Sequence, residues 1–134
     1  MNRDKLTFME YRSQVEAYII DVQKILAEML GDDPAFMEDQ ARRIEVHASR
    51  IDVIHAKATS YLSWAEYDAL EELKKREEKS TEVERKTFIA AQTALEARFQ
   101  QTLHGMLKCI SQRVSLVQSI LSYSKAANIG FRQS

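Results

Sequence analysis

The chain has 134 residues, enough for one domain or one extended helical unit. Only 3 Gly and 1 Pro stand against 45% apolar and 29% charged residues, which leaves too few turn residues for a sheet protein and points to long helices with short connections. The 19 Lys and Arg nearly cancel the 20 Asp and Glu, so an electrostatic function has to come from patches rather than net charge.

The first helix is expected over 4–30. Phe8, Tyr11, Val15, Tyr18, Val22, Ile25 and Met29 alternate in steps of three and four, the period of a coiled-coil seam. Ile19, Leu26 and Leu30 widen it on one flank, as in a bundle. Gly31 ends this helix and Asp33-Pro34 restarts the chain as cap and first residue of the next.

A second helix is expected over 34–62. Ile44, Ala48, Ile51, Ala58 and Leu62 line one face, with Ile54 and Tyr61 beside it. Arg43, Arg50 and Lys57 recur every seven residues and form a basic stripe, flanked by Arg42 and His47, while Glu45 and Asp52 point elsewhere. Ser63 and Glu66 have capping-box spacing, so a third, short helix is expected over 64–79. Trp64 and Tyr67 either stack on bases beside the basic stripe or plug the corner between the second and third helices, and the shared direction with Leu70 favours the corner. The charged run 71–79, with Glu71–Lys75 and Glu72–Arg76 spaced for ion pairs, is expected to project into solvent or to be mobile.

Thr81 and Glu84 form another capping-box pair, and a last helix is expected over 81–127. Its apolar positions include Phe88, Leu95, Phe99, Leu103, Met106, Ile110, Val114, Val117 and Leu121, with Gly105 a possible bend. At about 45 residues it would span roughly 70 Å, more than a compact domain of this size accommodates. The expected architecture is all-α, an elongated helical bundle or hairpin with coiled-coil-like seams. It forms one domain over 1–134 with a frayed tail over 128–134. Surplus apolar surface then implies a homo-oligomer, with Tyr18, Val22, Ile25, Met29, Ile110, Val117 and Leu121 as the contact residues.

No catalytic or metal constellation is legible. His47, His55 and His104 lack partners at ligand spacing, Cys109 sits beside Ile110 away from any glycine-rich loop, and no phosphate loop or nucleophile elbow occurs. The chain is read as a non-enzyme without cofactor. A single cysteine suits the cytoplasm, the start leads into a patterned helix rather than a signal peptide, and no apolar run is long enough for a membrane span.

Ala56-Lys57-Ala58 with Tyr61, Glu78-Lys79-Ser80 with Lys86-Thr87, and Ser111-Gln112-Arg113 continuing to Ile120 and Gly130 resemble the T4-type phage recombination mediators, the UvsY-like family, over roughly residues 40 to 130. The family's Lys-Ala-Arg motif is Lys57-Ala58-Thr59 here, and its Tyr-Tyr-Ser-Gly run is echoed only by Tyr61 and Ser63. The resemblance implies a ring-like oligomer in the host cytoplasm. It would bind single-stranded DNA and help a recombinase displace single-strand-binding protein. On that reading Arg42, Arg43, Arg50, Lys57 and Tyr61 are the nucleic-acid-binding residues, the cations neutralising successive phosphates. The competing class is a helical assembly adaptor or chaperone that binds a partner protein through apolar helix faces.

Overall fold

The structure, a computed structural model, describes residues 6–28, 33–76 and 80–133, with the side chains of 124 and 127–133 left aside. It is all-α: α1 (Phe8–Ala27), α2 (Pro34–Lys75), α3 (Glu82–Gln92) and α4 (Ala94–Gln133), with no strand among the described residues. The expected residues 4 and 5 of the first helix, together with Met29, Leu30, the Gly31 cap and 77–79, lie outside the described residues.

Each helix start is set by local chemistry. At α1 the Glu10 amide donates to Thr7 Oγ1 at 3.2 Å and the Thr7 amide donates to Glu10 Oε2 at 3.4 Å, a capping box. The sequence reading passed over it. At α2 the Ala35 amide donates to Asp33 Oδ1 at 3.1 Å, and Pro34 takes the first helical position, where its missing N–H costs nothing. At α3 the expected box forms, with Glu84 N to Thr81 Oγ1 and Thr81 N to Glu84 Oε2 both at 3.2 Å.

Two expected boundaries are corrected. No break occurs at Ser63: α2 runs unbroken from Pro34 to Lys75. Ser63-Trp64-Ala65-Glu66 contains no Gly or Pro, and the row of buried positions continues through Ala58, Tyr61 and Ala69, so tertiary burial overrides the capping signal. Trp64 and Tyr67 therefore plug no corner. The single helix expected over 81–127 is instead divided at Thr93, which takes φ −110° and ψ 11°. The Thr93 amide and its Oγ1 both donate to the Ile89 carbonyl, at 3.0 and 2.8 Å. A hydroxyl that bonds back one turn in this way bends a helix. Gly105 introduces no break, and α4 continues through it to Gln133, past the expected end at 127.

The chain divides into two compact units, Met1–Val15 with Asp52–His104, and Glu16–Ile51 with Gly105–Ser134. In the first, Ile54, Ala58, Tyr61, Ala69 and Leu103 are buried. Tyr61 is the centre of an aromatic cluster. Its ring centroid lies 5.7 Å from Phe8, 5.5 Å from Tyr11 and 5.2 Å from Trp64, and Phe99 meets Phe8 edge-on at 5.6 Å. Such pairs add about 0.5–1.5 kcal/mol each beyond area burial. Leu95, expected on the apolar face of the last helix, is exposed.

In the second unit Ile19, Val22, Leu26, Ile44, Ile51, Met106 and Ile110 are buried, and Ile120 and Leu121 pack against Met37, Ala41 and Val117. On α1 the buried side is centred on Ile19, Val22 and Leu26, so the expected flank lies deepest, while Phe8, Tyr11, Val15, Tyr18 and Ile25 of the expected seam are half-buried. The oligomer contacts assigned to Val22, Ile110 and Val117 need correction: at 1%, 3% and 1% exposure the single chain already covers them, and no surface remains for a second copy. Tyr18, Ile25 and Leu121 are half-buried.

Val22→Asp is expected to lower the melting temperature by many degrees, because it places an unpaired charge in a closed apolar site, at a cost of several kcal/mol. A calorimetric scan checks this; an unchanged transition would mean that position 22 is solvated.

Candidate functional site

α2 carries four lengthwise rows, each following from the seven-residue repeat of two helical turns. The inward row, Met37, Ala41, Ile44, Ile51 and Ala58, is buried. The basic row is Arg43, Arg50 and Lys57, and an acidic row follows Glu38, Glu45, Asp52 and Glu66. Between these charged rows, opposite the core, run Val46, Ser49, Val53, Ala56, Ser60, Ser63, Tyr67 and Leu70 in steps of three and four. All are exposed except the half-buried Ser60. Val46 at 73% and Val53 at 67% exposure are among the most open large apolar side chains of the chain. Sequence reasoning missed this outer row because its Ser and Ala members dilute the apolar signal. The period alone, four apolar anchors in register with four small residues, would have found it.

The basic row is less open than its spacing implies. Arg42 pairs with Glu38 at 2.7 Å, and Arg43 lies 3.9 Å from Glu28. These exposed pairs are worth only about 0–1 kcal/mol, so a polyanion can compete for either arginine, but the neighbouring carboxylates remain and cancel much of the local field. Arg50 lies over the Tyr18 ring, its guanidinium carbon 4.0 Å from the centroid. Tyr18 Oη and His47 Nδ1 are hydrogen-bonded at 2.7 Å, which holds the ring beneath that cation. Lys57 Nζ sits 6.0 Å from the Tyr11 centroid and 5.9 Å from that of Tyr61. Arg50 and Lys57 are thus tethered to aromatic faces through cation–π attraction.

Tyr61 is corrected as a nucleic-acid contact. It is 6% exposed, and its hydroxyl donates to the Leu6 carbonyl at 2.9 Å, so no face of the ring is open to a base. Trp64 meets Tyr61 edge-on and is half-buried, whereas Tyr67 projects into solvent on the outer row.

Burial raises the pKa of the Tyr11, Tyr18 and Tyr61 phenols above the usual value near 10, because a phenolate is poorly solvated inside the fold. Tyr61 adds to the effect at Tyr11, and Glu10 does so at Tyr61, whereas Arg50 opposes it at Tyr18.

Elsewhere, the His55 and His104 rings lie 5.9 Å apart, and among the described residues no group of three or more His, Cys, Asp or Glu gathers to hold a metal ion. Cys109 is half-buried rather than fully enclosed. Where α2 ends beside α3, an open groove of about 420 Å³ is lined by Leu73, Val83 and Phe88. Its Arg76 stacks 4.5 Å over Phe88 and pairs with Glu72 at 3.6 Å, as the spacing predicted. Glu71 pairs with Lys74 at 3.5 Å rather than with the expected Lys75. No helix among the described residues is long and apolar enough to cross a membrane.

No known protein family, curated protein or solved structure matches the chain.

The tyrosines give a test in alkali. The folded state keeps these phenols protonated to higher pH than the unfolded chain does. Their contribution to stability is therefore complete below about pH 10 and is lost as pH rises through their raised values. Thermal melts are expected to be flat between about pH 7 and 9 and to fall above about 10. Tyr11→Phe is expected to make that fall shallower, and an unchanged slope would show that Tyr11 is solvated.

Proposed function

We propose that this protein is a non-enzymatic helical adaptor that acts by packing the outer face of α2 against a partner helix. The observation that carries this reading is the outer row itself, where Val46, Val53, Tyr67 and Leu70 are exposed in heptad register. Apolar side chains aligned over several turns are the signature of helix-on-helix recognition. The near-zero net charge and the carboxylates of Glu38 and Glu28 beside Arg42 and Arg43 support it further. The cytoplasm is the proposed compartment, since a lone half-buried Cys109 has no use for an oxidising one.

Single-stranded DNA binding, with the recombination-mediator role, the recombinase and the single-strand-binding protein that go with it, is the second reading. It rests on Arg43, Arg50 and Lys57 sharing one face of a continuous helix.

A photo-crosslinking residue at position 53 or 67 is expected to capture protein in extracts of the native cell, whereas one at the exposed Gln112 on α4 captures none. A fluorescent single-stranded oligonucleotide is expected to bind only weakly at physiological salt. Submicromolar binding would overturn the adaptor reading in favour of the mediator, provided Arg50→Glu with Lys57→Glu abolishes it and flattens its salt dependence by roughly 0.7 per lost phosphate contact.

A further inference from the structure

The outer row of α2 lies between rows of opposite charge, and that arrangement specifies its occupant. In heptad terms Val46, Val53, Ser60 and Tyr67 take the a positions and Ser49, Ala56, Ser63 and Leu70 the d positions. Arg43, Arg50 and Lys57 then fall at e, and Glu38, Glu45 and Asp52 at g. The whole pattern belongs to one unbroken helix and takes nothing from the others.

When two copies of such a helix pair in parallel and in register, each g residue meets the partner's e residue of the following heptad. Glu38 then faces the partner's Arg43, Glu45 the partner's Arg50, and Asp52 the partner's Lys57, and each pair occurs again by symmetry. In an antiparallel pair e faces e and g faces g, which sets cation against cation and carboxylate against carboxylate. The sequence therefore favours one partner and one orientation. β-branched Val46 and Val53 at a favour two strands, and small residues at d let the backbones approach. Ser60 brings little polar penalty, since its hydroxyl already donates to the Ala56 carbonyl at 3.3 Å. Arg50 lies over the Tyr18 ring and Lys57 near those of Tyr11 and Tyr61 beside the row, so cation–π attraction biases both toward it before a partner arrives. Past Lys57 the match ends, with Thr59 opposite the partner's Trp64 and Glu66 opposite the partner's Glu71.

We propose that the outer face of α2 is a parallel, in-register two-stranded interface with a second copy of this chain, about 36 Å long from Val46 to Leu70. The proposal rests on the same row as the adaptor reading above, but its occupant is a second copy of this chain and it does not require any other protein.

Light scattering over a concentration series is expected to show a shift from 15.5 kDa to twice that mass. Val46→Asp with Val53→Asp is expected to hold the chain at the monomer mass with its melt preserved, since both side chains are exposed within one chain. Orientation is read in a Cys109→Ser background. Val53→Cys and Ser63→Cys, one at a and one at d, are each expected to oxidise to covalent dimers on their own, since a parallel pair sets each position against its own copy. Cross-linking only in a mixture of the two variants would mean an antiparallel pair and overturn the proposal. Glu45→Arg with Asp52→Lys is expected to weaken the dimer by roughly tenfold or more, and adding Arg50→Glu with Lys57→Glu is expected to restore it, because both rows are then reversed together. A mass of one chain at every concentration would overturn self-pairing. If the position-53 crosslinker still captured another protein in that case, the adaptor reading would survive alone. A dimer with no other protein captured would leave self-pairing in place and remove the adaptor reading.

Discussion

The register of α2 is the constraint on which the other features depend. Along this helix Met37, Ala41, Ile44, Ile51, Ala58 and Tyr61 return to one side in steps that fit a seven-residue repeat, and every one of them is buried. A serine cap at Ser63 is worth about 1 kcal/mol, and against it the helix stays continuous, with Ala69 buried and Trp64 and Leu73 half-buried beyond that position. Once the inward row is fixed, geometry assigns every other residue of α2 to a row, and the outer stripe and its two charged flanks follow without further choice.

The aromatic cluster shows how the inward register also determines the state of the cations. Tyr61 is buried among Phe8, Tyr11 and Trp64, and its hydroxyl is tied to the Leu6 carbonyl. Lys57, one turn before it, lies close to both Tyr11 and Tyr61. In the other unit Arg50 stacks on Tyr18, itself hydrogen-bonded to His47. A lysine or arginine on a bare helix loses about 2 kcal/mol of rotamer freedom when it is fixed by a partner. Here part of that ordering is already done by the fold. The residues that sequence periodicity marks as a polyanion track are thus the ones that, in the proposed pairing, would face a matching acidic row.

Much of the fold was legible in the sequence, and the failures share a cause. The amphipathic α1, the Asp33-Pro34 start, the Thr81–Glu84 box and the all-α fold of the described residues come from local or strictly periodic signals, which one sequence carries in full. The Ser63 boundary was misread because a capping motif is local, whereas its use depends on whether burial favours a break. The interruption at Thr93 was missed for the converse reason: nothing around it resembles a helix end, and the bend depends on how its hydroxyl and amide share the Ile89 carbonyl. Tyr61 is placed on the DNA-binding surface by the family resemblance, and nothing in the sequence says that Phe8 and Leu6 fold over it. Val22, Ile110 and Val117 were assigned to an oligomer because their apolar character was clear and their cover was not.

Net charge conceals this organisation. A chain with 19 basic and 20 acidic side chains reads as neutral, and a neutral chain reads as a poor electrostatic binder. On α2 the charges are not mixed: cations occupy one flank of the outer stripe and carboxylates the other, from Glu38 to Lys57. At an interface, segregation of this kind matters more than the total. Each individual pair is weak in water, but the rows add, and reversing the direction of the partner changes every pair from attraction to repulsion at once. The apolar stripe, with its small and β-branched residues, discriminates little among partners by itself, since Ser, Ala and Val pack acceptably against many helices. Affinity on this face would then come mainly from Val46, Val53, Tyr67 and Leu70, and selectivity from the flanking rows. That division explains why the cations are better understood by what lies across the stripe from them than by their number.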